Sequence, residues 1–298
     1  MTRTVRPATE ADVPTVVAPV NEATPAAPVD EAEVRSWLSS PIEIDLALVE
    51  DAGGEPVAYA DLVRFGSELD RIWLDAQVPQ RNGDDETVGA AVDWAETTAR
   101  SRGFPRLRAS ASLGSAVAAY LGRHGYRPIR HSFRMRIDLE SPPPEPDWPA
   151  GITVRTPAPG EERAVFEAVE DAFADHWEWT PAVWEEWAHH MVEADDVDQT
   201  LWQVARDGDE IAGACVCRYA PGEPGLGWVR QLGVRPPWRR RGLGTALLLG
   251  AFRLFWERGT KAVGLGVDGE NTTGAVRLYE RAGMRVVHRF DTYEKEIR

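Results

Sequence analysis

A glycine-rich turn with three arginines is the segment of this sequence best suited to chemistry. It reads Arg239-Arg240-Arg241-Gly242-Leu243-Gly244, after a strand-like run at 228–234 and before a helical run at 245–252. Glycines leave backbone N–H groups uncovered, and such groups at a helix N-terminus bind anions. Arginine adds bidentate donors for phosphate. The pattern therefore predicts a pyrophosphate site formed by the N–H groups from Arg240 to Thr245.

The chain as a whole is acidic, so the positive charge of this turn is local. Its 298 residues include 48 Asp and Glu against 33 Lys and Arg, for a formal net charge of -15. Proteins that bind a nucleic-acid backbone usually carry a basic stripe, and this sequence has none. We therefore expect the pyrophosphate on a small cofactor, and we expect no nucleic-acid partner.

Other classes of protein are disfavoured by composition. No apolar run approaches the roughly 18 residues that a membrane span needs, and the first residues lack the apolar segment of a signal peptide. The two cysteines, Cys215 and Cys217, share one face of a predicted strand, a spacing that favours neither a disulfide nor a zinc site. These features predict a cytoplasmic protein without a metal and without a membrane partner.

A proline-rich segment at 141–150 separates two halves built to a similar plan. Prolines there cannot continue a helix or a central strand. Each half contains a strand, two acidic amphipathic helices, a strand pair around a glycine turn, and then alternating strands and helices. We therefore predict an α/β protein with two domains, 1–140 and 151–298, each a central mixed, mostly antiparallel sheet flanked by helices.

The second half resembles the GNAT family of acetyltransferases. The family signature Q/R-x-x-G-x-G/A is met by Arg239, Gly242 and Gly244, and a second signature by Asn271 and Tyr279. The two-domain layout is similar to that of mycothiol synthase-like acetyltransferases. The resemblance implies that acetyl-CoA is the co-substrate and that no metal is needed. It implies the following binding residues: Leu232, Gly233, Val234, Arg239, Arg240, Arg241, Gly242, Leu243, Gly244, Thr245, Asn271, Ala275 and Tyr279.

The same resemblance implies that the protein transfers an acetyl group to a primary amine of a small molecule through a ternary complex. It also implies what individual groups of the chain do in that reaction. Main-chain groups at 232–234 would bind the pantetheine arm like an added strand, and an N–H there would meet the developing oxyanion. Tyr279 would protonate the leaving thiolate. A base is also expected, and the sequence leaves four candidates, which are His176, Glu178, Asp268 and Glu270.

A tryptophan-rich segment at 175–187 is expected to contact the acceptor. Aromatic faces beside carboxylates suit an amine or a sugar-like acceptor. Trp184 and Trp187, three residues apart, are expected in the core. Mycothiol synthase-like chains tend to carry a glutamate near the start of strand four, where this chain has a tryptophan. The candidate acceptor residues are Trp177, Glu178, Trp179 and Trp228.

The first half departs from the pattern. Its equivalent loop contains Asp84, Asp85 and Glu86, which would repel a pyrophosphate, and leucines occupy the positions of Asn271 and Tyr279. We therefore interpret the first domain as a degenerate copy that braces the second and walls the acceptor cleft.

Several alternatives remain open on sequence grounds. The run Gly264-Leu265-Gly266-Val267-Asp268-Gly269 matches a dinucleotide fingerprint, but its aspartate and the following glutamate would face a pyrophosphate, so we reject that interpretation. The chain could instead acetylate an amino-sugar thiol, or act as a non-catalytic acyl-CoA-binding sensor or interaction module. It could be a monomer or a homodimer.

Overall fold

A computed structural model describes residues 3–25, 28–41, 43–65, 70–194, 197–271 and 273–297. The chain forms two compact units. The first comprises Met1–Ser132 and His288–Arg298, and the second comprises Phe133–Val287. Within the described ranges, no helix is long and apolar enough to cross a membrane.

Strands and helices alternate along the described chain as the sequence predicts. The strands are β1 (Thr4–Pro7), β2 (Glu43–Glu50), β3 (Pro56–Arg64), β4 (Ile72–Gln77), β5 (Arg106–Ser112), β6 (Arg127–Asp138), β7 (Ile152–Arg155), β8 (Gln203–Asp207), β9 (Glu210–Tyr219), β10 (Leu226–Val234), β11 (Ala262–Asp268) and β12 (Arg285–Glu296). The α-helices are α1 (Val13–Ala23), α2 (Glu31–Leu38), α3 (Asp85–Ser101), α4 (Ala116–Arg123), α5 (Glu162–Phe173), α6 (Trp184–Met191), α7 (Leu243–Glu257) and α8 (Ala275–Arg281).

Each unit is built on a mixed sheet. In the first unit the strand order is β1-β2-β3-β4-β5-β12, with β4 and β5 parallel and the other pairs antiparallel. In the second unit the order is β6-β11-β10-β9-β8-β7. There β10 and β11 are parallel, while β7 to β10 pair antiparallel. The predicted fold class, with mixed and mostly antiparallel sheets flanked by helices, is confirmed.

Apolar stripes at helical spacing explain how α5 and α7 pack in the second unit. Val165 and Val169 lie four residues apart on α5 and are at most 1% exposed. On α7, Leu248, Phe252 and Phe255 are completely buried. All five side chains belong to one hydrophobic core with the strands of this unit. Residues that recur at this spacing share one helix face, so the two helices are held against the sheet that carries the site.

The compact units differ from the predicted domains in where two strands belong. Residues 133–138 of β6 belong to the second unit, where Met135 is completely buried. Residues 288–296 of β12 belong to the first unit, where Tyr293 is in the core. The second half of β6 alternates apolar and polar residues and β12 does not do so regularly. Neither pattern specifies which sheet a strand joins. The predicted boundaries at 140 and 151 therefore miss an exchange of final strands.

The predicted linker at 141–150 is ordered against the second unit. Arg253 of α7 donates a hydrogen bond to the Pro143 carbonyl at 2.9 Å and pairs with Glu145 at 2.7 Å. Trp148 packs beside Gly250 of the same helix. The segment therefore forms part of the surface around α7.

Two carboxyl groups face each other inside the first unit. Asp61 of β3 is paired in register with Asp75 of β4, and Asp61 is 8% exposed. Burial, together with the charge of Asp75, raises the pKa of Asp61 well above its ordinary value. Burial also raises the pKa of Asp75, against a hydrogen bond from Gln77 that lowers it. The native state thus holds protons that the unfolded chain releases above its ordinary aspartate pKa.

We expect the Asp61→Asn variant to melt higher than the wild type by about 4 °C or more at pH 8. A carboxyl whose pKa is raised on folding costs stability as pH rises, so the gain should shrink at pH 5. Scanning calorimetry at both pH values measures this. Asp93→Asn, at an exposed position of α3, is the control and should show no such difference. An equal gain at both pH values would contradict the interpretation.

Candidate active site

The central feature of the second unit is a separation of two parallel strands. β10 and β11 pair from Leu226 with Ala262 to Val229 with Leu265. Beyond this point β10 keeps its pairing with β9 up to Val234, after a register shift between Val229 and Gln231. Its other edge is therefore open, with main-chain N–H and C=O groups available. Such an edge can bind an extended ligand as an added strand.

The turn between β10 and α7 is fixed by its flanking side chains. Trp238 is 6% exposed and donates its indole N–H to Asp207 at 2.9 Å. Arg235 donates to Asp171 at 2.6 Å and to the Ile211 carbonyl at 3.1 Å. These contacts position the turn before any ligand binds, which reduces the entropy that binding must overcome.

Arg239 has a different role from the one predicted. Its guanidinium donates to the carbonyls of Val234 and Ala172 at 3.0 and 2.9 Å, and it pairs with Asp175. This ion pair lowers the pKa of Asp175 below its ordinary value. Arg239 therefore holds the turn against the end of α5, and its fork is not available to a phosphate.

The turn itself presents backbone donors. Arg240 and Gly242 have φ values of 61° and 86°, in the left-handed region. Left-handed residues in a tight turn can direct neighbouring N–H groups into one concavity that suits an anion. Gly242 is the N-cap of α7 and supplies no side chain to cap the helix, so the first N–H groups of α7 remain available together with the helix dipole.

A cleft of about 710 Å³ joins the open strand edge, the turn and α8. Arg241 lies outside it and lines a neighbouring depression of about 500 Å³ with Trp148 and Thr245. All the other predicted cofactor-binding residues line the cleft: Leu232, Gly233, Val234, Arg239, Arg240, Gly242, Leu243, Gly244, Thr245, Asn271, Ala275 and Tyr279.

Tyr279, the predicted proton donor, lies buried at the wall of the cleft. It lies on α8, is 8% exposed and lines the cleft. Burial, with a smaller effect of the nearby Cys215, raises the pKa of Tyr279 well above its ordinary value. The phenol therefore keeps its proton at neutral pH. Cys215 and Cys217 are both buried, with their sulfur atoms 3.5 Å apart.

The predicted acceptor residues are not all brought together. Trp177, Glu178 and Trp179 lie between α5 and α6, and within the described ranges none of the three lines the cleft. Trp228 does not line the cleft either, and it lies on β10 next to Val229, where the strands separate. Trp187, predicted as core, is 6% exposed.

The candidate bases and Asn271 differ in their surroundings. His176 and Asp268 line the cleft, whereas Glu178 and Glu270 do not. Asp268 accepts a hydrogen bond from the Glu270 N–H at 3.0 Å. Asn271 accepts one from the Thr273 N–H at 2.8 Å, in the turn before α8. The N-cap of α8 is Gly274, so Asn271 lies three residues before the cap of this helix.

Comparison with known proteins agrees with this geometry. The family described as Acetyltransferase (GNAT) family matches residues 165–284. The crystal structure of a GCN5-related N-acetyltransferase from Sphaerobacter thermophilus is 34% identical, with a TM-score of 0.79, and the match covers 99% of this chain and 96% of that one. This chain belongs to the GNAT family. A tandem GNAT protein from the clavulanic acid biosynthesis pathway, 18% identical with a TM-score of 0.76 over 99% of both chains, shares the fold.

A curated relative of this GNAT chain is the mycothiol acetyltransferase of Pseudarthrobacter chlorophenolicus. The two are 34% identical over 189 residues, which are 61% of this chain and 58% of that protein. The match thus spans less than two thirds of the relative's length.

We expect Gly242→Ala to raise the Kd for acetyl-CoA by about tenfold or more. A side chain in the left-handed region costs about 1–2 kcal/mol, and the turn can relieve that strain only by moving the N–H groups of this GNAT cleft. Gly259→Ala is a matched control, because Gly259 has a φ of 79° at the other end of α7. Calorimetric titration measures both. Equal affinities for the two variants would contradict the proposed anion site.

Proposed function

We propose that the second unit transfers an acetyl group from acetyl-CoA to a primary amine of a small molecule within a ternary complex. The observation that carries the proposal is the cleft in which an open strand edge, uncapped helix N–H groups and a buried tyrosine meet. Each of these three features is complementary to one part of acetyl-CoA. The edge suits the pantetheine arm, the turn suits the pyrophosphate, and the tyrosine suits the sulfur.

Each group has a role that follows from its position. The N–H groups of Leu243, Gly244 and Thr245 bind the pyrophosphate, and each dipole–charge contact contributes about 0.3–1 kcal/mol. An N–H of the segment 232–234 stabilises charge on the carbonyl oxygen. The exposed Arg240 and Arg241 add positive charge at the entrance.

The transfer makes one bond and breaks one. The amine nitrogen attacks the thioester carbon, the carbon–sulfur bond breaks, and Tyr279 gives its proton to the departing thiolate. The attacking nitrogen loses a proton to a base or to water. Of the four candidate bases, only His176 and Asp268 line the cleft.

We expect no cofactor at the equivalent turn of the first unit. Its equivalent helix, α3, is capped by Asp84, whose carboxylate accepts a hydrogen bond from the Thr87 N–H at 2.8 Å. Asp84 also pairs with Arg3. A carboxylate therefore occupies the position that a phosphate takes at an uncapped helix.

A second candidate function is acetylation of an amino-sugar thiol. It is favoured by the likeness to the mycothiol acetyltransferase of Pseudarthrobacter chlorophenolicus. Both candidate functions need the same acetyl donor and differ in the acceptor. A non-catalytic acyl-CoA-binding module is the third possibility, and it would need the cleft but not the acidic tyrosine.

We expect Tyr279→Phe to lower kcat by about 10²–10⁴-fold while the Kd for acetyl-CoA stays unchanged. The hydroxyl is removed, and the ring that packs in the core remains. Tyr219→Phe, on the exposed end of β9, is the control and should leave kcat unaffected. Steady-state release of CoA measures the rates. Undiminished turnover in the Tyr279 variant would exclude the acid role and favour another proton donor.

Calorimetric titration of the full chain with acetyl-CoA should give one site per chain. The Asp84 cap excludes the phosphate from the first unit, whereas α7 of the second unit is uncapped. Arg240→Glu combined with Arg241→Glu should weaken this binding strongly. A stoichiometry of two would show that the first unit also binds, and no binding would exclude the transferase proposal.

A further inference from the structure

An arginine of β6 is stacked on Trp228 beside the point where β10 and β11 separate. The guanidinium carbon of Arg134 lies 4.2 Å from the centre of the Trp228 ring. Trp228 is followed by Val229, the last residue of β10 that pairs with β11, and Val229 lines the cleft. With a rise of about 3.3 Å per residue, Trp228 lies roughly 13 Å along β10 from Leu232, where the segment expected to meet the thioester oxygen begins. The stacked pair is therefore placed to contact the far end of an acceptor and not the thioester itself.

Two glycines of β11 leave room for this pair and for a ligand beside it. Trp228 is paired in register with Gly264, and a Cβ on Gly264 would lie 2.5 Å from the indole ring. The missing side chain lets the indole lie flat on β11. Gly266, two residues further towards the cleft, is exposed and has open space where its Cβ would be. The glycine-rich run that matches a dinucleotide fingerprint therefore exposes backbone without side chains beside the indole ring. We call this surface at Gly266 the floor.

Among the described residues, no carboxylate pairs with Arg134, whereas its neighbour Arg136 pairs with two. Arg136, two residues along β6, pairs with Asp138 at 2.9 Å and with Glu223 at 2.6 Å. Arg134 is half-buried and forms no hydrogen bond or ion pair within the described part of the chain. Burial lowers the pKa of its guanidinium, against a smaller opposing effect of Glu223. A partly desolvated guanidinium with free donors is a strong recognition group for an anion.

We propose that the amine acceptor also carries a carboxylate, and that Arg134, stacked on Trp228, binds that carboxylate over the floor formed by Gly266. The inference rests on the proposed acetyl transfer and names its acceptor class as amino acids and related amino carboxylates. A single planar fork matches a carboxylate in size and charge. The indole holds the fork in one orientation. Arg134 is thus a specificity-determining residue for the acceptor.

The test uses the full chain with saturating acetyl-CoA and pairs of acceptors that differ only in charge. Each pair is an L-amino acid and its amide, such as phenylalanine and phenylalaninamide, with release of CoA as the readout. The amide has the more acidic ammonium and therefore more free amine at a given pH. A preference for the acid would oppose this intrinsic reactivity. We expect the wild type to prefer the acid in kcat/KM by about tenfold or more.

Arg134→Gln should raise KM for the amino acid by about 10- to 100-fold, with kcat, the rate on the amide and the Kd for acetyl-CoA little changed. Arg136→Gln is the matched control, because that arginine is already paired, and it should keep the preference for the acid. Arg134→Lys keeps the charge without the fork and should give an intermediate KM. It also provides a folded comparison if the glutamine variant does not fold.

Two results would overturn the inference alone. One is a wild type that acetylates amides as well as or better than the acids. The other is a preference for acids that survives in both Arg134 variants. A wild type that binds no acetyl-CoA would instead overturn the proposed function, and the inference with it. Binding of acetyl-CoA without acetylation of either series would overturn the inference and favour the non-catalytic module.

Discussion

The structure of the second unit depends on one constraint, which is that two parallel strands must stop pairing while each stays anchored on its other side. β10 can separate from β11 after Val229 because β9 continues to satisfy its main chain as far as Val234. Unpaired main-chain groups are costly when they are buried, so the separation also creates a demand for a ligand that can pair with them. The turn, α7 and α8 line the cleft beside these unpaired groups.

Much of this site could be predicted from the sequence because its parts are local. The spacing of Arg239, Gly242 and Gly244 specifies a tight turn into a helix, and the structure has α7 beginning at Leu243. Tyr279, predicted from the second signature, lies on the short helix α8. Local patterns could not show that Arg239 is engaged by Ala172 and Asp175, since those contacts join residues more than sixty positions apart. The motif specified the turn, but it did not specify the contacts of the Arg239 side chain.

The location of Arg134 could not be predicted, because the composition of a strand does not show which of two sheets it joins. Arg134 falls within the segment 1–140 that sequence assigns to the first domain, yet it belongs to the second unit and stacks on Trp228. The two units also show how one residue changes a shared plan. An aspartate caps α3 and a glycine caps α7. The N-terminal N–H groups of α3 therefore have a side-chain acceptor, whereas those of α7 are available to a ligand.

The exchange of final strands has a consequence for how the chain can be made. Residues 288–296 complete the sheet of the first unit, and they follow all strands of the second unit along the chain. The first unit therefore cannot acquire its closing strand until the ribosome has translated the second unit, although its strands β1 to β5 are translated before that unit. Separate expression of the two halves, divided at the proline-rich segment, would leave each sheet with the strand that belongs to the other.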